Sequence, residues 1–577
     1  MGHPSQWKNK QIREHIDVIE GKISPTVLLK DATYLHSGFK KWIKGHIWIY
    51  EDRIIYAGPT LPENTEECEM IDCEKLTIVP GYIEPHVHPF QLYNPHSFAQ
   101  YASKTGTTTL INDNLMFFLL NNKKKAFSLL DSYKHLPVSM FWWCRFDSQS
   151  EMENEEKIFS LEAVKTWLKR DDVIQGGELT SWPRLVQGDD MILQWIQETK
   201  KLGKKVEGHF PGASERTLAM MSLFGVDSDH ESMTGKEAYQ RILHGFTVAL
   251  RHSSIRKDLE KLLDELKELE VDHYRSLMLT TDGSTPSFYK NGVIDFLLRI
   301  CLEKGIPAID AYEMASYNVA SYYGLSATHG SIATGQIANI NILENPTNPT
   351  PIGVLSKGQW VVHPQKSVSV WDDEIQQSLP DMKIDWELKA DDMQFSMPFG
   401  MKLVNDVITK PYSVQIDASL EELSLEHDHS YLLLLDRHGK WRISTMIQGF
   451  SSGVKGLASS FTGTGDIVII GKNRKDMIRA FNEMKRLNGG IVVVEDEEII
   501  FELPLPFMGV MSDLPMEELI EKQEELQFIL RERGYDHSDP VYTLLFLTST
   551  HLPYIRITPK GIYDVMKKNV LFPAIMR

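Results

Sequence analysis

From Leu76 to about Gly335, apolar or β-branched runs alternate with longer segments whose apolar residues recur every three and four positions. The runs are TIVPGYIEPHVH, TTTLINDN, VSMFWWCRF, DVIQGGEL, KKVEGHFP, GVDSDHES, FTVALRHSS and SLMLTTDG. Between them lie segments such as AFSLLDSYKHL, LEAVKTWLKR, DMILQWIQETKKLG, ASERTLAMMSLFG, KDLEKLLDELKELE and VIDFLLRICLEKG. Eight strands alternating with helices over roughly 250 residues predict a parallel sheet closed into an α/β barrel of the TIM, (β/α)8, type. The competing open, doubly wound sheet lacks a GxGxxG at its first helix.

The flanks carry a different pattern. VLLKDATYL, GHIWIYEDRIIYAG and EMIDCEKLTIVPGYI read as short strands of a small antiparallel sheet. Strand character returns in QIANINILENPTNPTPIGVLSKGQWVVH, as though completing that sheet, so the barrel is expected as an insertion in a small β-sandwich domain. A charged linker around VWDDEIQQSLPDMKIDWELKADD then leads to YLLLLDR, WRISTMIQGF, DIVIIG and GIVVVED, with a helix at KDMIRAFNEMKRLNG. These features predict a C-terminal α/β domain. The expected boundaries are 1–80 and 336–365 for the small β domain, 81–335 for the barrel and 366–577 for the C-terminal domain.

Functional side chains of such a barrel project from the C-terminal ends of its strands. The first run ends in His86 and His88, the fourth in Glu178, the fifth in His209, the sixth in His230 and the eighth in Asp282. Imidazole and carboxylate suit borderline divalent metals such as Zn, Fe and Mn, and two His two residues apart on a strand point the same way. Six ligands can hold two ions, with Glu178 as the bridging carboxylate. Two metals about 3.5–4 Å apart lower the pKa of a shared water and polarise the atom it attacks. Any one of the 20 His is more simply a surface or core residue. Ligand-type residues at the ends of five runs, each run read from its hydrophobic pattern, are harder to ascribe to chance.

Composition narrows the partners. The 577 residues carry 61 Lys+Arg against 79 Asp+Glu, a net charge of −18 that repels nucleic acid and favours a small neutral or cationic ligand. Four Cys without paired CxxC spacing form neither a zinc ribbon nor a disulfide framework, which points to a reducing cytoplasm. The opening MGHPSQWKNKQIREH has no apolar core of a leader, and no run approaches the ~18 apolar residues of a membrane span. A soluble homo-oligomer, with a dimer favoured, is expected.

The motifs PGYIEPHVHP, VEGHFPG, DSDHES and TTDG, followed by MASYNVASYYGL, GSIATGQIANINIL and ELPLPFMGVMSDLP, resemble the adenine deaminases of the metallo-dependent amidohydrolase superfamily across nearly the whole chain, most of all its divergent members. The resemblance implies a metal-dependent barrel set in a small β domain, an additional C-terminal domain, and conversion of adenine and water to hypoxanthine and ammonia. It also implies that His86, His88, Glu178, His209, His230 and Asp282 hold a divalent, binuclear Mn or Fe centre, with Zn as an alternative. Asp282 and Glu178 would be catalytic, Asp282 by moving a proton from the attacking water to the departing amino group. The C-terminal region is expected to approach the barrel mouth.

Departures from the family pattern surround the cage. Pro89-Phe90-Gln91-Leu92 replaces an Ile-Glu-Ser-Ser stretch, and Asn112-Asp113-Asn114-Leu115 stands where the family has Asp-Pro-His-Glu. Arg251-His252-Ser253-Ser254 replaces Arg-Glu-Gly-Ser, Gly283 the second Asp of Thr-Asp-Asp, and Thr462-Gly463-Thr464-Gly465-Asp466 a His-Asp-Ser-His-Asn segment. Base selectivity depends on hydrogen bonds to the substrate edge, so another purine, a pteridine or a cyclic amide is an alternative substrate. A non-catalytic, metal-stabilised binding protein is a third reading. Gly449-Phe450-Ser451-Ser452-Gly453 matches the GxSxG elbow of serine hydrolases, but so short a pattern commonly matches by chance and a Gly-rich turn is the simpler reading.

Overall fold

Strands covered by helices on one face and filled by side chains on the other are buried throughout, and the barrel strands have the apolar runs that this requires. Ser139–Cys144, SMFWWC, is buried at every position. The computed structural model describes residues 7–371, 379–395 and 397–577. Its parallel eight-stranded sheet runs in order through Tyr82–Val87, Thr107–Asp113, Ser139–Cys144, Val173–Leu179, Lys205–Gly208, Ser228–Asp229, Thr247–Arg251 and Leu277–Thr280. All eight lie within the runs expected from sequence.

Between the eighth and first strands, where the barrel closes, the buried Glu84 carboxylate makes several of the hydrogen bonds. Glu84 Oε1 accepts from Thr280 Oγ1 at 2.7 Å, and its Oε2 accepts from Thr281 N and Oγ1 at 3.0 and 2.8 Å. Burial pushes the Glu84 carboxyl up to about 7 against those hydrogen bonds. Outer helices turn a narrow apolar stripe inward. In Leu259–Glu268 the buried residues are Leu259, Leu262, Leu263 and Leu266, the three-and-four spacing of one helical face.

The N-terminal strands differ from expectation in direction. Val27–His36 pairs antiparallel with Lys41–Tyr50 but parallel with both Glu69–Asp72 and Thr77–Pro80. Residues 59–68 carry the chain back before it re-enters the sheet, which a parallel pairing requires. On its other edge Val27–Lys30 pairs with Glu69–Asp72 and Thr33–Tyr34 with Thr77 and Ile78, so one strand edge receives two partners in succession. The first apolar run is thus divided, with Thr77–Pro80 in this sheet and Tyr82–Val87 in the barrel. Ile340–Leu343 pairs with Thr77–Pro80, and Gly353–Ser356 and Gln359–Val362 extend the same mixed sheet.

C-terminal strands at Phe399–Leu403, Thr409–Ser413, His429–Leu435, Trp441–Gln448, Gly456–Ser459, Ile467–Gly471, Gly490–Glu495 and Glu498–Pro504 belong to one nine-stranded sheet, with Arg474–Arg486 as a helix beside it. The charged linker needs correction where it is described. Leu379, Met382, Ile384 and Leu388 are buried, and Met382 N donates to Pro506 O at 2.8 Å, so apolar side chains among the charges dock this stretch onto the domain. Residues 372–378 of that linker, and residues 1–6 of the polar opening, lie outside the described residues. Among the described residues no helix is long and apolar enough to cross a membrane.

Candidate active site

The barrel brings all six sequence-derived candidates to one mouth. His86 Nε2 and His88 Nε2 are 3.2 Å apart and lie 3.2 and 3.4 Å from Asp282 Oδ1. His209 Nδ1 is 2.5 Å from Glu178 Oε1, and His230 Nε2 is 3.4 Å from the same oxygen. Three ligand-type triplets result: His86, His230 and Asp282; His86, His88 and Glu178; and Glu178, His209 and His230. His86, His230 and Glu178 each belong to two of them, so of the two carboxylates Glu178 is shared and Asp282 is not.

What turns the His86, His88 and His230 nitrogens inward is a set of outer carboxylates that the sequence did not reveal. Glu207 lies 3.0 Å from His86 Nδ1 and 3.1 Å from His230 Nδ1, while Asp113 Oδ2 lies 2.9 Å from His88 Nδ1. A neutral ring with Nδ1–H bonded outward presents the Nε2 lone pair to the centre, an arrangement recurrent among metal-binding histidines. Gln175 Nε2 donates to Glu207 Oε2 at 2.6 Å, and Trp143 stacks on His86 with ring centroids 4.4 Å apart.

Buried guanidiniums complete the surround. Arg145, ending the third apolar run, reaches Asp113 Oδ2 at 2.5 Å and Glu178 Oε2 at 2.9 Å. Arg251 reaches Glu231 Oε1 at 2.6 Å and Asp282 Oδ2 at 2.7 Å, and Arg256 pairs with Glu231 Oε2. Burial resists ionisation of Asp282 and Glu178. Arg251, then His86 and His88, outweigh it for Asp282; Arg145 and His209 do so for Glu178, and both carboxyls sit well below the usual range. Burial alone would depress His86, but Glu207 chiefly drives it up to about 9.

The donor set suits divalent cations. With the imidazoles counted neutral, as metal ligands must be, Asp113, Glu178, Glu207, Glu231 and Asp282 face Arg145, Arg251 and Arg256, leaving two negative charges over. Asp282 Oδ1 makes no hydrogen bond despite the two nearby nitrogens, as expected of acceptors that converge on a common cation. These observations fit the ions that the fold implies.

The C-terminal region does approach the mouth. A cavity of about 60 Å³ over the cage is lined by His88, Arg145, Glu178 and Asp282 from the barrel, and by Tyr542 and His551 from the C-terminal region. Backbone and side chains stitch the two together: Ser150 Oγ donates to Thr548 O at 2.7 Å, Thr550 N to Gln149 O at 2.8 Å, and Thr285 Oγ1 to Asp539 Oδ2 at 2.6 Å. Burial, reinforced by His209, pushes His551 down to about 3 and keeps it neutral. Nothing local marked His551; it comes to the pocket only through tertiary docking.

Ser451 is no nucleophile elbow in this geometry. Its hydroxyl donates to Arg533 O at 2.5 Å and accepts from Gly453 N and Val454 N at 3.1 and 3.0 Å, hydrogen bonds that close a turn.

Comparison with known proteins agrees with this arrangement. Residues 77–361 match the amidohydrolase family, and residues 406–569 match the adenine deaminase C-terminal domain. The chain is 56% identical to a Halalkalibacterium halodurans protein named "Putative adenine deaminase", over 99% of each chain. It is 53% identical to the Bacillus subtilis protein "Putative adenine deaminase YerA", again over 99% of each. Similarity extends at 26% identity to "Adenine deaminase 2" of Carboxydothermus hydrogenoformans, over 97% of this chain and 99% of that one.

Proposed function

Because the chain belongs to the adenine deaminase family of the metallo-dependent amidohydrolases, we propose that it hydrolyses the exocyclic C–N bond of adenine, giving hypoxanthine and ammonia. The observation that carries this reading is the convergence of four imidazoles with Glu178 and Asp282 at the mouth of a barrel whose outer carboxylates hold His86, His88 and His230. In the proposal His86, His88, Glu178, His209, His230 and Asp282 hold two divalent ions, Mn or Fe, with Zn as an alternative. When bound, such ions supply a water of lowered pKa and polarise the ring atom under attack.

The protein's own groups do the rest. Asp282 accepts a proton from the attacking water through Oδ1 and delivers it to the departing nitrogen, while Arg251 fixes Oδ2. Arg145 holds Glu178 from the side away from His209. Tyr542, Leu545 and Phe546 roof the pocket and restrict water.

A second reading keeps this chemistry and changes the ring. Residues 462–466 fold on themselves, with Thr464 Oγ1 donating to Asp466 Oδ2 at 2.7 Å, and only Gly463 of that segment lines the cavity. The substrate edge therefore meets different groups from those of the resembling family, which favours testing other purines, pteridines and cyclic amides. A non-catalytic role loses its motivation, since Asp113, Glu207 and Glu231 supply carboxylates around the cage. Purification with added Mn or Fe, metal analysis and ammonia release from a purine panel tests cage and substrate together.

Assembly as a homodimer remains part of the proposal. Leu223 and Leu243, exposed on the consecutive outer helices Glu215–Phe224 and Gly235–Leu243, are apolar side chains that such an interface would cover. The free thiols of Cys68, Cys73, Cys144 and Cys301 support a reducing compartment.

A further inference from the structure

We propose that the helix Asn9–Ile19 is a docking surface for a second copy of this chain, which packs its own Asn9–Ile19 against it in antiparallel orientation; this does not rest on the deaminase reading. One face of the helix is tied to the small β domain, where it packs on the strand Arg53–Gly58. His15 and Val18 are buried there, Trp7 Nε1 donates to Asp52 Oδ1 at 2.8 Å, and Lys8 N donates to Gln11 Oε1 at 3.0 Å across the first turn. The other face is apolar and open. Ile12, Ile16 and Ile19 are 45, 52 and 44% exposed, and their spacing of four and three puts them in one stripe. Single exposed apolar residues are ordinary, but a stripe of them on an ordered helix marks a surface that something covers. The six residues before Trp7, MGHPSQ, offer only Met1 and Pro4 as apolar side chains, too few to cover three isoleucines.

The charges beside the stripe identify the occupant. Lys10, Arg13, Asp17 and Glu20 follow the same three-and-four spacing along one flank, basic toward the N-terminus and acidic toward the C-terminus. That order opposes the helix dipole, since no acidic residue stands in the first turn and no basic one in the last, so it does not serve the helix on its own. Nor does the chain balance it. Among the described residues Arg13 makes no ion pair, Lys10 reaches Glu14 at 3.5 Å, and Asp17 and Glu20 share Lys22. A second copy running antiparallel answers both points. A two-fold axis near Ile16 crosses the stripe, buries the isoleucines against one another, and sets the basic half of each flank beside the acidic half of the other. Parallel packing would set like charges together. The contact is separate from the barrel helices that bear Leu223 and Leu243: alone it gives a dimer, and with an interface there a tetramer. Its small extent puts it at the weak end of specific interfaces, so the association depends on concentration.

Sedimentation velocity of the full-length protein over a concentration series tests this, with circular dichroism to show that each variant is folded. Wild type should show an association step that reverses on dilution, and Ile16→Glu should remove it. Arg13→Glu should weaken that step by about tenfold, and adding Glu20→Arg should restore it, because the pair re-forms with its signs exchanged. A residue near a two-fold axis meets its own copy, so under mild oxidation Ile16→Cys should give a disulfide-linked dimer and Ile12→Cys should not; parallel packing would link both. Leu223→Glu with Leu243→Glu should leave the step in place. A wild type that stays monomeric at every concentration, a folded Ile16→Glu protein that associates like wild type, or a charge exchange that fails to restore association overturns the proposal. Loss of the step in the Leu223 and Leu243 variant alone also overturns it, by moving the contact to the barrel helices. Ammonia release and metal content enter none of these outcomes, so the deaminase reading stands or falls separately.

Discussion

Arg251 Nη2 lies 2.7 Å from Asp282 Oδ2, while Oδ1 of the same carboxylate faces His86 Nε2 and His88 Nε2 at 3.2 and 3.4 Å. The guanidinium thereby assigns the two oxygens different tasks: one is anchored and the other is available at the centre. If Oδ1 moves the proton, Asp282→Asn keeps the shape and removes the basicity. Turnover should fall by ~10²–10⁴-fold with little change in KM, measured on fully metallated enzyme with an identified substrate. Arg251→Gln leaves the base but frees its orientation, and misplacement of a reacting group by about 1 Å can cost about 10²-fold, so kcat should fall while bound metal is retained. Wild-type turnover in either metallated variant would place the proton shuttle elsewhere.

Glu207 touches two candidate ligands at once, His86 and His230, through their Nδ1 atoms. Loss of such an outer partner typically costs ~10–100-fold in metal affinity, so Glu207→Gln should raise the metal dissociation constant by that factor in competition with a chelator. Glu178→Gln should instead reduce the number of ions bound, because its proposed role is to neutralise and join them. Unchanged stoichiometry in Glu178→Gln, or in His86→Ala with His88→Ala, would contradict the proposed cage.

How much of this was visible in the chain follows from the range of each interaction. The barrel strands were legible because burial on both faces writes unbroken apolar runs, and the six candidate ligands because they stand at the ends of those runs. Glu207 lies in the same KKVEGHFP run as His209 yet gave no signal, since its role depends on rings contributed by the first and sixth strands. Arg145 and Arg251 were visible only as strand-end residues; their partners are fixed by closure of the barrel. The parallel entry of Glu69–Asp72 was missed because local periodicity carries no information about strand direction.

Gly283 shows how a departure from family pattern can be read as packing. It adopts φ +54°, and a Cβ there would collide with the backbone nitrogen of His88 and come within 2.9 Å of its Cα. Rigid backbone on both sides leaves no flexible side chain to yield. Gly283→Ala should destabilise the fold by roughly 1–3 kcal/mol and displace His88 relative to Asp282, lowering metal affinity as well. Chemical denaturation and chelator competition on the same variant check both effects; a variant unchanged in both would show that this loop has slack.

Asp466 gives a pH signature from outside the six candidate ligands. Burial pushes its carboxyl up to about 7, and nearby Asp436 adds to the effect, although Thr464 and Arg437 donate hydrogen bonds to it. In the unfolded chain an Asp ionises near 3.9, so between about pH 4 and pH 7 the native state binds more protons than the unfolded one and wild-type stability falls as pH rises. Above about pH 7 the penalty is constant. Asn at this position can still accept from Arg437 N and can donate its amide to Thr464 Oγ1, without the ionisation. Asp466→Asn should therefore match the wild type near pH 4 and gain stability toward pH 8, by up to about 4 kcal/mol on a three-unit difference in pKa. Urea unfolding at pH 4, 6 and 8 measures the difference, and equal stabilities at all three values would show that Asp466 is ionised in the folded protein at neutral pH.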